Sequence, residues 1–447
     1  MACGTKQLIK KLKNEETHLE LKLENNEDSL LSLEAVFKKF YPDFKIANYR
    51  KYKGEKWIDD LYESAKELKF MIIIKGEKIR LKVDAKRDFL KKFLNELENF
   101  FEWAEYTGTE QFMTRDEQRN YKYKMKPLFR ERMQKLLPGK EDFAEFEKII
   151  HIPPRNYVRC NTLKITPKEL MQRLSKKWKT IQPFPQHDEI ILVEQELAPG
   201  ELGNAIEHLL GYYYIQEVCS MMSVLALSPE KDEFVLDLCA SPGSKTSQTA
   251  AKMENKGTLM ANDLKQDRIN ILSATLERCG ATNTIITKHD AIALCSKLSK
   301  TNFRFDKILL DAPCSGEGTL RSSSKTFLMW NPKIIIKFSR QQKKFLAFAL
   351  KCLKVGGTLV YSTCTHTPEE DEEVIDFAVK NFPVKVEAIN LPLKCRQGIT
   401  EWDNKVYSEE VKKSCRIYPQ DNDSEGFFVC KLTLLDEIKD KWEDKNI

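Results

Sequence analysis

Phe234-Val-Leu-Asp-Leu-Cys-Ala-Ser-Pro-Gly-Ser-Lys-Thr246 changes character halfway along. Phe234 to Leu238 is apolar except for Asp237, the pattern of a strand buried in a parallel sheet. Ser241, Pro242 and Gly243 then turn the chain, and Thr246 to Met253 is helix-compatible, with small Ala250 and Ala251 able to pack on a sheet. Strand, glycine-bearing turn and helix form the unit that holds a ligand at the carboxyl end of a strand. Gly243 is the only glycine in the loop, which argues against a phosphate-cradling P-loop despite Lys245 and Thr246. Gly257-Thr-Leu-Met-Ala-Asn-Asp263 then reads as a second strand ending in an acid, placed to bind the two hydroxyls of a ribose. An ordinary α/β crossover without a ligand has the same pattern up to this point.

Further along, Gln266 to Cys279 reads as an amphipathic helix. Thr284 to Asp290 is a third strand ending in an acid, placed to meet an adenine or its exocyclic amine. Phe305 to Asp311 is a fourth strand. Gln341 to Leu353 is a helix closed by Gly356-Gly357, and Gly357 to Thr363 is a fifth strand. This alternation predicts an α/β fold, an open parallel sheet with helices on both faces. Asp311-Ala-Pro-Cys-Ser-Gly-Glu-Gly follows the fourth strand and Tyr361-Ser-Thr-Cys-Thr-His-Thr-Pro368 the fifth. Both loops fall on the carboxyl edge of such a sheet, so Cys314 and Cys364 are expected at one cleft, with Asp311 between them and the ligand loop. A lone cysteine in such a loop is usually a small buried residue; two in adjacent ligand loops are less often inert.

Toward the N-terminus the signal is weaker. Residues 1 to about 30 are polar, either loosely ordered or a surface helix. Leu30 to Trp103 reads as mostly helical, with one strand pair, Lys69–Lys75 and Lys78–Val83, turned at Gly76. No chemistry is evident there. Arg119 to Lys140 carries Arg119, Lys122, Lys124, Lys126, Arg130, Arg132, Lys135 and Lys140 against a single acid, Glu131, with Tyr121, Tyr123 and Phe129 interleaved. That composition suits phosphate neutralisation with base stacking, although a solvated helix face would share the charge. A strand after Pro153, a helix from Pro167 to Trp178 and a strand Glu189–Val193 make a small β-α-β unit that resembles half of an RNA-recognition-type sheet. The expected division is an extension over 1–112, an RNA-recognition region over 113–215 and a catalytic domain over 216–447.

With 447 residues, 41% hydrophobic and 31% charged, the chain has room for two or three soluble domains. A net charge of +6 is compatible with nucleic acid without indicating it. The twelve cysteines lack the CxxC pairs of a zinc site, and the chain is too long to need a disulfide framework. No apolar run reaches the length of a membrane span, and Met1 to Asn14 is too polar for a signal peptide. The expected setting is reducing and cytoplasmic, or nuclear in a eukaryote, with no metal, no membrane and a monomeric protein.

From about residue 125 to 432 the chain resembles the Nop/Sun family of RNA cytosine-5 methyltransferases. The resemblance rests on Cys239-Ala240-Ser241-Pro242-Gly243-Ser244-Lys245-Thr246, on the two cysteine motifs, and on Arg416-Ile-Tyr-Pro and Gly426-Phe-Phe-Val near the end. Ser241 and Ser244 stand where the family often has Ala and Gly, Asp371 where Asn is common and Gln420 where His is common. The resemblance implies a Rossmann-like class I methyltransferase sheet; the residue pattern puts a small α+β RNA-binding region and a mostly helical extension before it. It further implies S-adenosyl-L-methionine against residues 239–245, with its ribose on Asp263, its adenine near Asp290 and its reacting end near Asp311; Arg268 is a candidate for its carboxylate side. Carbon 5 of cytosine is a poor nucleophile until a thiolate adds at carbon 6. By resemblance that thiolate is Cys364. Asp311, protonated, would hydrogen-bond ring nitrogen 3. Cys314 would remove the carbon-5 proton or break the adduct, and Lys245 would orient the base or lower a thiol pKa. A DNA-type enzyme would instead use Cys314 as nucleophile, a binding-only relative would use neither, and a small-molecule or protein methyltransferase would need no cysteine pair. tRNA is the first expectation for the substrate and ribosomal RNA the second. Lys122, Lys124, Lys126, Arg119 and Arg130 are the expected RNA contacts.

Overall fold

The computed structural model describes seven strands within residues 1–124, then residues 125–438 apart from positions 199, 324, 325, 328 and 329. The chain divides into two compact units, Met1–Tyr121 and Lys122–Ile447.

The first unit holds β1 (Ala2–Cys3), β2 (His18–Glu24), β3 (Arg50–Tyr52), β4 (Glu55–Ile58), β5 (Leu68–Lys75), β6 (Lys78–Ala85) and β7 (Ala104–Gly108). They form one sheet in the order β1-β7-β2-β6-β5-β4-β3, every pairing antiparallel. The expected hairpin is β5–β6, in register from Leu68↔Ala85 to Lys75↔Lys78. Its isoleucine-rich first arm and the alternation of Ile79, Leu81 and Val83 with Lys78, Arg80 and Lys82 explain it. A mostly helical reading omits the other strands. β3 and β4 are too short and too charged to show a period of two, so their pairing is visible only in three dimensions. The rest of that helical reading lies outside the described residues.

The second unit opens with two helices, Pro127–Leu136 and Lys140–Ile149. Their apolar faces, Phe129, Met133, Phe143 and Phe146, form a core with Leu320, Trp330 and Tyr418. Phe129, expected to be available for base stacking, is instead 2% exposed and edge-on to Trp330 at 5.3 Å.

A four-stranded antiparallel sheet follows: β8 (Asn156–Cys160), β9 (Thr180–Ile181), β10 (Ile190–Val193) and β11 (Tyr213–Ile215), in the order β11-β8-β10-β9. Helix Pro167–Leu174 covers one face. A capping box fixes its start: Glu169 N donates to Thr166 Oγ1 at 3.3 Å and Thr166 N to Glu169 Oε2 at 3.2 Å. The strands alternate, so Val158, Cys160, Ile191 and Val193 meet that helix while Tyr157, Ile190 and Leu192 face the buried helix Val218–Leu227. Tyr157, Ile190 and Leu192 of this sheet thus share a core with the catalytic half.

The large sheet contains β12 (Phe234–Asp237), β13 (Thr258–Asp263), β14 (Thr284–Lys288), β15 (Phe305–Asp311), β16 (Leu353–Thr363), β17 (Val384–Glu387), β18 (Arg396–Gln397), β21 (Cys415–Ile417) and β22 (Phe427–Leu434), while β19 (Glu401–Trp402) and β20 (Lys405–Val406) pair separately. The order is β14-β13-β12-β15-β16-β22-β21-β18, with β17 also on β22. The first five strands are parallel; β22 runs antiparallel between β16 and β17. Chain order reverses between β12 and β15, which opens a crevice at their carboxyl ends. Val235, Leu236, Ile308, Leu309 and Leu310 are all fully buried, as the apolar runs predict. The helix expected over Gln341–Leu353 is longer and earlier, Pro332–Leu350, because Asn331 caps it (its side chain accepts from Lys333 N) and proline suits the first turn. The glycine pair 356–357 lies inside β16 rather than closing the helix.

Candidate active site

The loop after β12 packs close to helix Gln266–Cys279. At Gly243 φ is +102°, and a Cβ there would come within 2.9 Å of Thr275 Cγ2 and 3.1 Å of Leu272 Cδ1, so only glycine suits the turn. Asp263, at the end of β13, is buried; its Oδ2 accepts from Ser241 N at 3.3 Å and from Arg268 Nε at 3.0 Å. Arg268 Nη2 also donates to Ser241 O at 2.6 Å. Arg268 thus sits on Asp263 and the loop, bracing the ribose candidate at that end of the crevice. Asp290 is exposed and caps helix Ala291–Ser299 through Ala293 N at 3.0 Å. Below the loop, Asp237 accepts from Thr246 Oγ1 at 2.7 Å, its Oδ1 is buried without a partner, and burial pushes its pKa up to about 7.

Beside this loop, Lys245 Nζ donates to Asp311 Oδ2 at 2.7 Å and Ser362 Oγ donates to Asp311 Oδ1 at 2.8 Å. Burial opposes the Lys245 charge, but the Asp311 carboxylate outweighs it and the lysine pKa is raised. Both Asp311 oxygens act here as acceptors. Lys245 also lies 5.3 Å from the centre of the Phe427 ring.

The cysteines meet as expected, Cys314 Sγ lying 3.2 Å from Cys364 Sγ. The neighbouring Cys364 sulfur and then burial hold the Cys314 thiol well above its usual pKa. Three loops close on this point. Gly318 N donates to Cys364 O at 2.9 Å, and Gly426 N to Gly318 O at 2.8 Å. Lys245, Asp311, Cys364, Glu425 and Phe427 line one cavity of about 390 Å³, and Asn156, Tyr157, Ile215 and Gln216 from the small sheet line it too.

Sequence reasoning missed several residues that build the site. Buried Arg159 on β8 donates to Ser247 Oγ at 2.9 Å, Gln216 Oε1 at 2.9 Å and Ser244 O at 3.3 Å, joining the small sheet to the ligand loop. Arg321, seven residues after Cys314, donates to Ile152 O, Pro153 O, Ser424 O and Asp423 Oδ1. Its one available signal was a charged residue ending a glycine-rich motif. Of the expected RNA contacts, Lys126 Nζ donates to Trp330 O at 2.8 Å and Arg130 pairs with Glu147 at 2.9 Å; Arg119, Lys122 and Lys124 lie outside the described residues.

The parallel sheet with one antiparallel strand between the last two, and its acids at successive strand ends, define a class I S-adenosylmethionine-dependent methyltransferase fold. Residues 224–433 match the family described as 16S rRNA methyltransferase RsmB/F, and residues 125–218 the N-terminal domain of 16S rRNA methyltransferase RsmF. The tRNA (cytosine(49)-C(5))-methyltransferase of Pyrococcus abyssi is 41% identical over 294 residues, 65% of this chain and 92% of that relative. Ribosomal RNA small subunit methyltransferase F of Vibrio parahaemolyticus is 38% identical over 68% of this chain, which spans 62% of that relative. Among solved structures, a methyltransferase homologue from Pyrococcus horikoshii is 34% identical with a TM-score of 0.59, over 69% of this chain and 95% of its own. NSun6 from the same organism, solved with SFG, is 25% identical with a TM-score of 0.58, over 69% and 98%. The chain belongs to the Nop/Sun family of S-adenosylmethionine-dependent RNA cytosine-5 methyltransferases.

Proposed function

We propose that this protein methylates carbon 5 of a cytosine in tRNA, with Cys364 as nucleophile. One observation carries the reading: Cys364, Asp311 and Lys245 line a single cavity that the small sheet walls on the other side. The donor set suits the cofactor. The unpartnered Asp237 Oδ1 under the loop is an acceptor for a cationic group, and Asp263 is the carboxylate for the ribose. Residues 239–245 and Asp290 would complete that site. S-adenosylmethionine, when bound, supplies an electrophilic methyl.

The chain's own residues do the rest. Cys364 adds to carbon 6 of the base, making carbon 5 nucleophilic. Asp311 meets ring nitrogen 3, and the Lys245 ammonium on its Oδ2 orients it and offsets charge that develops there. Cys314, beside Cys364, resolves the adduct, assisting either loss of the carbon-5 proton or departure of the Cys364 thiol. The relative named for tRNA is covered almost throughout, whereas the chain spans under two thirds of the ribosomal one; this supports tRNA as substrate. Twelve cysteines without CxxC pairs, in a chain too long to need a disulfide framework, suit a reducing, cytoplasmic setting.

The test offers bulk tRNA and bulk ribosomal RNA from a strain lacking the protein, with methyl-labelled donor. Label in tRNA is the expected result; label in ribosomal RNA alone moves the substrate to the second expectation, and none in either overturns the reading. Cys364→Ala is expected to abolish both methylation and covalent RNA attachment. Cys314→Ala is expected to accumulate an RNA–protein species that survives a denaturing gel; accumulation in the Cys364 variant instead would reverse the roles.

A further inference from the structure

Cys314 has to reach the adduct on Cys364 at the right angle, and it sits on a loop rich in small residues. The chain around it is held from behind. Glu370 Oε2 accepts from Ser315 N at 3.0 Å and from Gln342 Nε2 at 2.8 Å. Gln342 Nε2 also donates to Pro313 O at 2.9 Å. The peptide groups on both sides of Cys314 are thus tied to one buried amide–carboxyl pair. Glu370 is itself anchored, since Tyr361 Oη donates to its backbone carbonyl at 2.6 Å. Ser315 Oγ reaches Thr365 Oγ1 at 2.9 Å, so the residue after one cysteine touches the residue after the other.

Stability alone does not account for the pair. Glu370 and Gln342 are fully buried, and one side-chain oxygen of each, Glu370 Oε1 and Gln342 Oε1, has no partner. An unpaired buried oxygen forfeits its hydration without recompense, so the pair is kept at a cost in stability. Neither residue lines the cavity that holds Cys364 and Asp311. What the pair does is set the Cys314 backbone against Cys364.

We infer that Glu370 and Gln342 are positioning residues that clamp the Cys314 loop, and that they act on resolution of the covalent adduct rather than on its formation. This rests on the reading of Cys314 as the resolving thiol. Adduct formation needs Cys364, Asp311 and Lys245, none of which the clamp touches; resolution needs Cys314 in register with Cys364. An error of about 1 Å in such a register costs about a hundredfold in rate.

The full chain is tested with S-adenosylmethionine and the same bulk tRNA and ribosomal RNA. Glu370→Ala and Gln342→Ala are expected to form adduct at the wild-type rate in a single turnover, then to release it about ten- to a hundredfold more slowly. The adduct then accumulates on a denaturing gel as in Cys314→Ala. Glu370→Gln keeps an oxygen for Ser315 N and is expected to recover part of the release rate. Adding Glu370→Ala to Cys314→Ala is expected to slow release no further, because the two act through one group. Formation and release falling together in both alanine variants, or release unchanged in both, overturns the inference. If Glu370→Ala does not fold, the outcome with Gln342→Ala decides alone. If the wild type turns over but Cys314→Ala accumulates nothing, the resolving role of Cys314 is wrong and the clamp falls with it. A wild type that methylates neither RNA removes the proposed function itself.

Discussion

Glu425 shows how one residue at the cavity wall stores a pH dependence. Its Oε1 accepts from Ser322 N at 2.7 Å, its Oε2 is buried without a partner, and burial pushes its pKa up to about 7. A glutamate in an unfolded chain titrates near 4.3, so between roughly pH 4 and 7 the folded protein retains a proton that the unfolded chain has released. Stability from this group is complete below that window, falls as pH rises through it and is level above. Glu425→Gln keeps an oxygen for Ser322 N and cannot titrate. Its stability relative to wild type is expected to rise by about 3 kcal/mol between pH 4 and pH 8, read from denaturant unfolding. A difference that does not change with pH would show that Glu425 titrates normally. Asp371 illustrates the same physics: burial, above all other causes, raises its pKa well above the usual range, and Thr363 donates to it at 2.5 Å.

Among elements, the three loops around Cys364 depend on a close approach that admits no side chain. A Cβ on Gly426 would lie 2.1 Å from His366 Cε1 and Nε2, and one on Gly318 would lie 2.1 Å from Gly426 O. His366 cannot yield, being stacked on Tyr418 with ring centres 4.9 Å apart and edge-on to Phe146 at 5.9 Å. Gly426→Ala is therefore expected to displace the Cys364 carbonyl through Gly318 and to slow adduct formation by about a hundredfold. Cofactor affinity, set at the separate loop after β12, should hold in calorimetry. Adduct forming at the wild-type rate would mean the loops relax independently. What was legible in the sequence follows the same division. β12 to β16 and their loops could be read because each is local: an apolar run, a turn residue, an acid or a cysteine at the strand end. β11 could not, because three residues carry no period and its pairing partner β8 lies about fifty positions away. Arg159, Gln342 and Glu370 were equally invisible, since their partners lie 88 and 28 positions off and a lone polar residue in an apolar pattern announces nothing about them.

For the molecule as a whole, the question is what residues 1–121 add to the reaction. They form a compact unit of their own, and the family matches begin only at residue 125. The relative named as a tRNA methyltransferase is covered over 92% of its length by 65% of this chain, so the activity in its name needs nothing like the remaining third. Residues 122–447 contain the ligand loop, both cysteines, the small sheet and the cores beneath them. The fragment 122–447 is expected to fold, to bind S-adenosylmethionine as the full chain does, and to form the Cys364 adduct in a single turnover at saturating RNA. With a net charge of only +6 over the whole chain, RNA affinity must come from local groups of charge rather than from the overall field. For each RNA phosphate that only the first unit neutralises, its removal should lower the log–log salt slope of RNA binding by about 0.7–0.9. A fragment with the same slope and the same KM as the full chain would leave the first unit no part in RNA binding. A fragment that loses cofactor binding would show instead that the two units do not fold independently, and calorimetry on the two proteins side by side separates these outcomes before any RNA is added.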